Sequence, residues 1–403
     1  MRLNRSRNPF RPAQPATPDI FRGRASEIDA VAQSLSAAYH GDPVKHILLM
    51  GERGIGKSSL LQFCELMAAD DLPGETTDFD FLVVSVSLAG VSDMFEITRR
   101  VADHLKLALD TRNVASPGLR AIVDFLLNWE ILGVHYHRPE TPVSHNQALG
   151  TLVDKLAEVE RLGFFQGVFI TFDEADAPPP DAGLATWLKD FTERLQRQKV
   201  AKLLMLVAGQ PILRAHLYDN HQSVLRIFKS MTLTPLADLE RREILRTGMR
   251  LANATANQPR DMTDDAEDLL SDLSEGYPFF LQTYAYAAFD QAGTGPVDAE
   301  AVETAFPAAT RDIGADFFDG VYKSAATSDN YKAVLRAMAD HGTDWLTRQQ
   351  ITKAAEPVSP DNVANALRKM KTSDALEAHP DKPGLYRLPT NAFAAWLKTL
   401  DDV

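Results

Sequence analysis

Val44-Lys-His-Ile-Leu-Leu-Met50 runs directly into Gly51-Glu52-Arg53-Gly54-Ile55-Gly56-Lys57-Ser58, and an apolar helical run opens behind it at Ser59-Leu60-Leu61. A buried strand, a glycine loop and a helix in that order form the setting that the pattern G-x-x-x-x-G-K-[ST] needs to bind phosphate. Glycines let backbone N–H groups turn inward around a phosphate chain, and the helix behind the loop adds the positive end of its dipole. In this pattern Lys57 reaches the β- and γ-phosphates of a nucleotide, and the Ser58 hydroxyl holds Mg²⁺. Gly51 to Ser59 are therefore the candidate nucleotide-binding residues. The competing reading is a plain glycine turn that binds nothing.

Working outward, three more segments have the texture of buried strands: Phe81 to Leu88, Gly167 to Phe172 and Leu203 to Ala208, with a shorter one at Met231 to Thr234. The stretches between them have helical spacing at Met94 to Leu109, Leu119 to Trp129 and Leu152 to Leu162. Strands alternating with helices predict an α/β fold with a parallel sheet covered on both faces and a ligand at the carboxyl ends of its strands. Those ends carry Gly51, the pair Asp173-Glu174, and Gln210. Asp173 suits the Mg²⁺ shell and Glu174 the polarisation of a water molecule that attacks the γ-phosphate. Asp173 as a simple helix cap is the alternative.

Before the loop, residues 1–17 are rich in Arg, Asn and Pro and read as an extended arm. Ser26 with Asp29 suggests a capping box for a helix whose stripe is Ile28, Val31, Leu35 and Ala38. Residues 130–148 break the helical pattern and carry His135, His137 and His145. With no carboxylate or cysteine at ligand spacing, they read as a loop and not as a metal site.

Beyond Leu236 the strand signal stops. Helices are expected over Asp238 to Asn253, Asp264 to Glu275, Pro278 to Ala292 and Ala299 to Ala308, as a separate helical unit. From about Ser328 three helices (Tyr331 to Asp340, Thr347 to Ala355, and Ser359 or Pro360 to Lys371) precede two short strands, Ala375 to Ala378 and Leu385 to Leu388, and a closing helix ending at Leu397. That is the order of a winged helix. Trp345 and Trp396 read as its core residues. The expected division is an arm (1–17), a phosphate-loop core (18–236), a helical lid (237–325) and a winged helix (326–403).

The 403 residues leave room for two or three cores, and 42 Lys plus Arg against 55 Asp plus Glu give a net charge of −13. An acidic chain is not built for global adhesion to DNA or membranes, so any nucleic-acid contact needs a local patch. A single cysteine, Cys64, excludes an internal disulfide and a zinc ribbon and fits a reducing cytoplasm. Neither a membrane span nor a signal peptide is indicated.

Taken together, Asn8-Pro9-Phe10, Phe21-Arg22-Gly23-Arg24 with Glu27, the phosphate loop, Asp173-Glu174, Gly209-Gln210-Pro211, Gly276-Tyr277-Pro278 and the winged helix resemble the AAA+ and STAND ATPases, near the origin-recognition-type initiators. The resemblance covers nearly the whole chain. It implies that Phe21, Arg22, Gly23 and Arg24 pack against adenine, with Pro278 touching base or ribose from the lid. It also implies that Gln210 senses the γ-phosphate. Arg226 stands where an arginine finger would be offered in trans to a neighbouring subunit of a homo-oligomer; an ordinary surface ion pair is the equal alternative. One departure is that Gly276 to Ala287 contains no arginine, where many AAA+ lids carry one.

The resemblance thus implies an ATPase, with ATP and Mg²⁺ as ligands, that acts as a molecular switch. Two alternatives stay open: an interaction protein that holds ADP with negligible turnover, and a DNA-binding regulator modulated by ATP. Residues 331–403 hold ten Lys or Arg and nine Asp or Glu, so this unit is almost neutral. Asn362, Asn365, Arg368, Lys369 and Lys371 on its third helix, with Lys382 in the wing, are candidate contacts to double-stranded DNA. A protein partner is the competing use of the same face.

Overall fold

The computed structural model describes residues 8–112, 116–129, 144–254, 256 and 258–400. They divide into two compact units. One spans Pro15–Thr234, and the other is built from the residues before Pro15 together with those from Pro235 onward.

In the first unit five strands form one sheet: β1 (His46–Met50), β2 (Phe81–Ser87), β3 (Gly167–Asp173), β4 (Leu203–Gly209) and β5 (Phe228–Thr232). They lie in the order β2-β3-β4-β1-β5, and every neighbouring pair is parallel. Nearly continuous burial along β1, β3 and β4 is what a parallel sheet covered on both faces requires. Helices α1 (Ala25–His40) and α2 (Lys57–Ala68) cover one face. The other face carries α3 (Met94–Thr111), α4 (Pro117–Asn128), α5 (His145–Leu162) and α6 (Leu184–Arg197). Leu48, Val84, Ile170, Phe172, Met205 and Val207 meet Val101, Leu156, Trp187 and Phe191 in one core on that side. Helix α7 (Ile212–Asn220) follows β4, and a short 3₁₀ turn, Val224–Ile227, leads into β5.

Several expectations shift. Helix α5 begins at His145, closed by a capping box between Ser144 and Gln147, so the end of the expected loop is helical. His135 and His137 lie outside the described residues. Helix α1 starts at Ala25 behind Arg24, whose φ is 63°, and its N-terminus has no side-chain cap; Ser26 lies within the first turn. Strand β5 starts three residues before the expected Met231, because it is an edge strand with solvent-facing Lys229 and Ser230 and so lacks a buried run. Helices α6 and α7 were not expected. Among the described residues no helix is long and apolar enough to cross a membrane.

The second unit begins with α8 (Asp238–Ala254), α9 (Asp264–Leu273), α10 (Pro278–Gln291) and α11 (Ala299–Ile313). A π-helical stretch, Gly314–Phe318, leads into α12 (Asp319–Ala325). Then come α13 (Asp329–Ala339), β6 (Leu346–Thr347), α14 (Arg348–Ala354), α15 (Pro360–Thr372), β7 (Glu377–Ala378), β8 (Leu385–Arg387) and α16 (Asn391–Thr399). Strands β6, β8 and β7 make a small antiparallel sheet.

The described part of the expected arm is not free. Phe10 is 1% exposed and packs edge-on to Phe289, and Asn8 donates to the Tyr286 carbonyl and to Asp290. One aromatic residue in a polar stretch has no periodicity by which to announce its burial. Trp396 is a core residue as expected, at 5% exposure, but Trp345 is only half-buried. The Arg387 guanidinium stacks 4.6 Å from its ring and His379 packs beside it.

Candidate functional site at the carboxyl ends of the sheet

Sheet register brings together residues that are far apart in sequence. Met50 pairs with Gly209, Phe172 with Val207 and Ser87 with Asp173, so strands β1, β4, β3 and β2 all end at one level. Gly51, Gln210, Asp173-Glu174 and Ser87 therefore share one edge. Gly51 N–H donates to the Gly209 carbonyl, continuing the pairing one residue into the loop.

Within the loop, Gly54 and Gly56 have φ of 72° and 97°, left-handed values that a side chain resists. Helix α2 starts at Lys57 with no side-chain cap, which leaves its first N–H groups available for an anion. The Lys57 ammonium donates to the Gly51 and Glu52 carbonyls at 2.7 and 2.8 Å. Burial holds the Lys57 pKa below the usual lysine value; the negative charges of Asp176, Asp173 and Glu52 oppose this, and Arg53 adds to it. The ammonium thus sits among the acids at this edge.

The segment before α1 acts as a strap over the loop and its helix. Ala16 N–H donates to the Ser59 hydroxyl at 3.0 Å, and Phe21 stacks on Phe63 of α2 at 4.9 Å between centroids. Buried Arg24 donates to the Ile55 carbonyl at 3.1 Å, and Arg22 to the carbonyl of Phe21. The resemblance reads this segment, Gly23 included, as an adenine contact. Through the Ile55 carbonyl Arg24 ties this segment to the glycine loop.

Asp173 closes β3 and accepts from Glu174 N–H at 2.8 Å. Glu174 has φ of 54°, and its carboxylate accepts from the Ser87 hydroxyl at 2.9 Å. Beneath them, Glu65 of α2 accepts from the Thr171 hydroxyl; burial pushes its carboxyl up, hydrogen bonds from Thr171 and Ser85 pull it down, and Asp173 raises it further. Gln210 is held by Asp176, which accepts from its backbone N–H and from its side-chain Nε2, both at 2.8 Å. Asp176, Ser87 and Glu65 were not among the residues the sequence pointed to. The signal available for Asp176 was its place in Asp173-Glu174-Ala175-Asp176.

Arg226 is exposed on the 3₁₀ turn before β5. Pro278 is the first residue of α10 in the other unit. On α15, Asn365, Arg368, Lys369 and Lys371 are exposed and Asn362 is half-buried, with Arg368 donating to Asn365 at 3.2 Å; Lys382 is exposed in the wing. Among the described residues no group of three or more His, Cys, Asp or Glu is placed to hold a metal ion. A hydroxyl from Ser58 and a carboxylate from Asp173 are hard oxygen ligands. Magnesium takes one or two such protein ligands and completes its shell with water and phosphate oxygens, so the donor set fits it.

No protein-family model and no curated protein sequence matches the chain. Among solved structures, the Aeropyrum pernix ORC2 protein in its ADPNP–ADP complexes is 17% identical with a TM-score of 0.61, and the match covers 98% of this chain and 97% of that one. Over nearly its whole length the chain has the fold of that ORC2 protein, an α/β fold of the P-loop NTPase type. The ADP form of the same Aeropyrum pernix protein is 16% identical with a TM-score of 0.50, over 94% of this chain and 93% of that one.

Proposed function

We propose that the protein is a Mg²⁺-ATP-binding and hydrolysing switch whose nucleotide state governs its assembly on DNA or on a protein partner. The observation that carries this is the shared edge of the sheet, where the glycine loop with Lys57, the pair Asp173-Glu174 and Gln210 end at one level. A glycine turn that binds nothing would not need those acids and that amide beside it. The similarity to ORC2, which binds ADPNP and ADP, supports an adenine nucleotide.

In this reading the loop N–H groups and Lys57 bind the β- and γ-phosphates. Glu174 accepts a proton from a water molecule as its oxygen bonds to the γ-phosphorus. The bond between that phosphorus and the β,γ-bridging oxygen breaks, leaving ADP and inorganic phosphate. Ser58 and Asp173 would hold Mg²⁺, which supplies neutralisation of phosphate charge. Gln210 contacts the γ-phosphate, and Arg226 is offered to the site of a second copy. Phosphate release from Mg²⁺-ATP should exceed that of Lys57→Ala and Glu174→Gln by at least about a hundredfold; equal rates, with concentrated protein and with duplex DNA present, would refute hydrolysis.

For the output we propose DNA contact through Asn362, Asn365, Arg368, Lys369, Lys371 and Lys382. Phosphate contacts must appear as salt-dependent affinity for duplex DNA, weakened by Arg368→Glu. Affinity too low to measure at low salt would leave the protein partner as the output. The absence of arginine from Gly276 to Ala287 favours a second reading, in which ADP is held without turnover. Stoichiometric, non-exchanging ADP in freshly denatured protein would decide for it.

A further inference from the structure

We infer that Asp176 is a positioning residue for γ-phosphate recognition: it fixes the Gln210 carboxamide in a single orientation, with one N–H and the carbonyl oxygen turned away from Asp176 and toward ligand. The inference rests on the nucleotide reading above and adds to it a residue which that reading does not use.

The argument is one of donors and acceptors. An ionised carboxylate only accepts hydrogen bonds, so the side-chain atom of Gln210 that meets Asp176 Oδ2 at 2.8 Å must be the NH₂ nitrogen. The other carboxylate oxygen takes the Gln210 backbone N–H at 2.8 Å, which fixes Asp176 relative to the end of β4. An amide held at both points does not flip. Among the described residues its NH₂ group keeps one hydrogen and its carbonyl keeps both lone pairs. A donor and an acceptor side by side suit a terminal phosphate oxygen and the water molecule next to it.

The backbone is arranged for this contact. Ala175 N–H donates to the Ala208 carbonyl at 2.9 Å, tying the turn after β3 to the end of β4. At Gly209 a Cβ would lie 2.9 Å from Asp176 Oδ1 and 3.2 Å from Asp176 N, so only glycine admits this approach. Burial lowers the Lys57 pKa, and the negative charge of Asp176 opposes that shift, so the same carboxylate that holds Gln210 also acts on the loop lysine. A surface acid that merely solvates its turn would need neither the second hydrogen bond nor the glycine.

Replacing the carboxylate by an amide of the same shape reverses the polarity at one oxygen. In Asp176→Asn the new NH₂ faces Gln210 and favours a flipped amide that turns its own NH₂ elsewhere. The test is titration of wild type, Asp176→Asn, Gln210→Ala and the double variant with ADP and with a non-hydrolysable ATP analogue, each with Mg²⁺. Each single variant should lose about tenfold or more in affinity for the analogue, the worth of one hydrogen bond to a charged group. ADP affinity should stay within about twofold, and the double variant should lose no more than either single one. Unchanged analogue affinity in Asp176→Asn, losses that multiply in the double variant, or an equal loss for ADP would each overturn the inference. A wild type that binds neither nucleotide refutes the ATPase reading and this inference with it; wild-type binding beside an unaltered Asp176→Asn refutes the inference alone.

Discussion

Glu275 stands immediately before Gly276-Tyr277-Pro278 and caps a helix more than a hundred residues later. Its two carboxylate oxygens accept from Asn391 N–H at 3.0 Å and from Ala392 N–H at 2.9 Å, while the Thr390 hydroxyl takes Phe393 N–H. All three leading N–H groups of α16 are thereby paired, two of them by a side chain from between α9 and α10. In Glu275→Ala, water can replace the partner of exposed Asn391, but the Ala392 N–H, in a residue 4% exposed, is left wanting. An unsatisfied buried donor costs about 1–3 kcal/mol. Loss of a negative charge at the helix N-terminus adds roughly 0.3–1 kcal/mol. Opening of α16 should therefore become easier by about 2–3 kcal/mol, which is roughly thirty- to 150-fold in amide exchange across Asn391–Thr399. Glu275→Gln, which keeps one acceptor, should lie between. Hydrogen exchange read by mass spectrometry reports this helix separately from the other unit, where a single melting temperature would mix the two. Exchange in α16 that is unchanged by Glu275→Ala would refute the reasoning, because the helix would then not depend on the carboxylate.

Three further outcomes are expected. His46 is 7% exposed and accepts from Met205 N–H, and burial lowers its pKa to about 4. With the folded value below the unfolded one, near 6.5, its contribution is complete above pH 6.5 and falls away toward pH 4 by roughly 3 kcal/mol, so urea unfolding of His46→Gln should show a flatter acid limb. A Cβ on Gly314 would sit 1.8 Å from Trp396 Nε1, so Gly314→Ala should destabilise the second unit by about 3 kcal/mol in denaturant, with partial recovery in Gly314→Ala/Trp396→Phe. Arg24→Ala removes the donor on the Ile55 carbonyl and should weaken ATP binding about tenfold by calorimetry, with kcat at saturation within about twofold.

The parts legible in the sequence are those whose cause is local. The glycine loop between β1 and α2 announces itself because left-handed Gly54 and Gly56, the strand before them and the helix behind them are contiguous. The C-terminal order of three helices, a hairpin and a closing helix is legible for the same reason. Helix α6 is harder to see, although Leu184, Trp187, Leu188, Phe191 and Leu195 make its stripe, because it opens behind Gly183 without a capping side chain. Phe10, Glu65 and Asp176 are illegible for a different reason. Each owes its state to a partner distant in the chain: Phe289, Thr171 and Gln210 respectively.

Strand order explains why the site needs such distant partners. With β4 lying between β1 and β3, the loop lysine and the acid pair come from strands that do not touch, and the end of β4 stands between them. Whatever sits there can face both. Gln210 occupies that position, and Asp176 reaches it from the turn after β3, one strand away. The same order puts Thr171 and Ser85 on adjacent strands over α2, where Glu65 meets both. Ser85 and Ser87 alternate with Val84 and Val86 along β2, and Thr171 alternates with Ile170 and Phe172 along β3. One face of each strand is thus apolar for the core, while the other carries a ladder of hydroxyls leading to Glu174 and Asp173. Of these hydroxyls only Thr171 is buried, and a buried hydroxyl weakens an apolar core unless it has a partner. Thr171 has one in Glu65, while the exposed Ser87 hydroxyl donates to Glu174, so hydroxyls of β2 and β3 meet the acids near the strand ends.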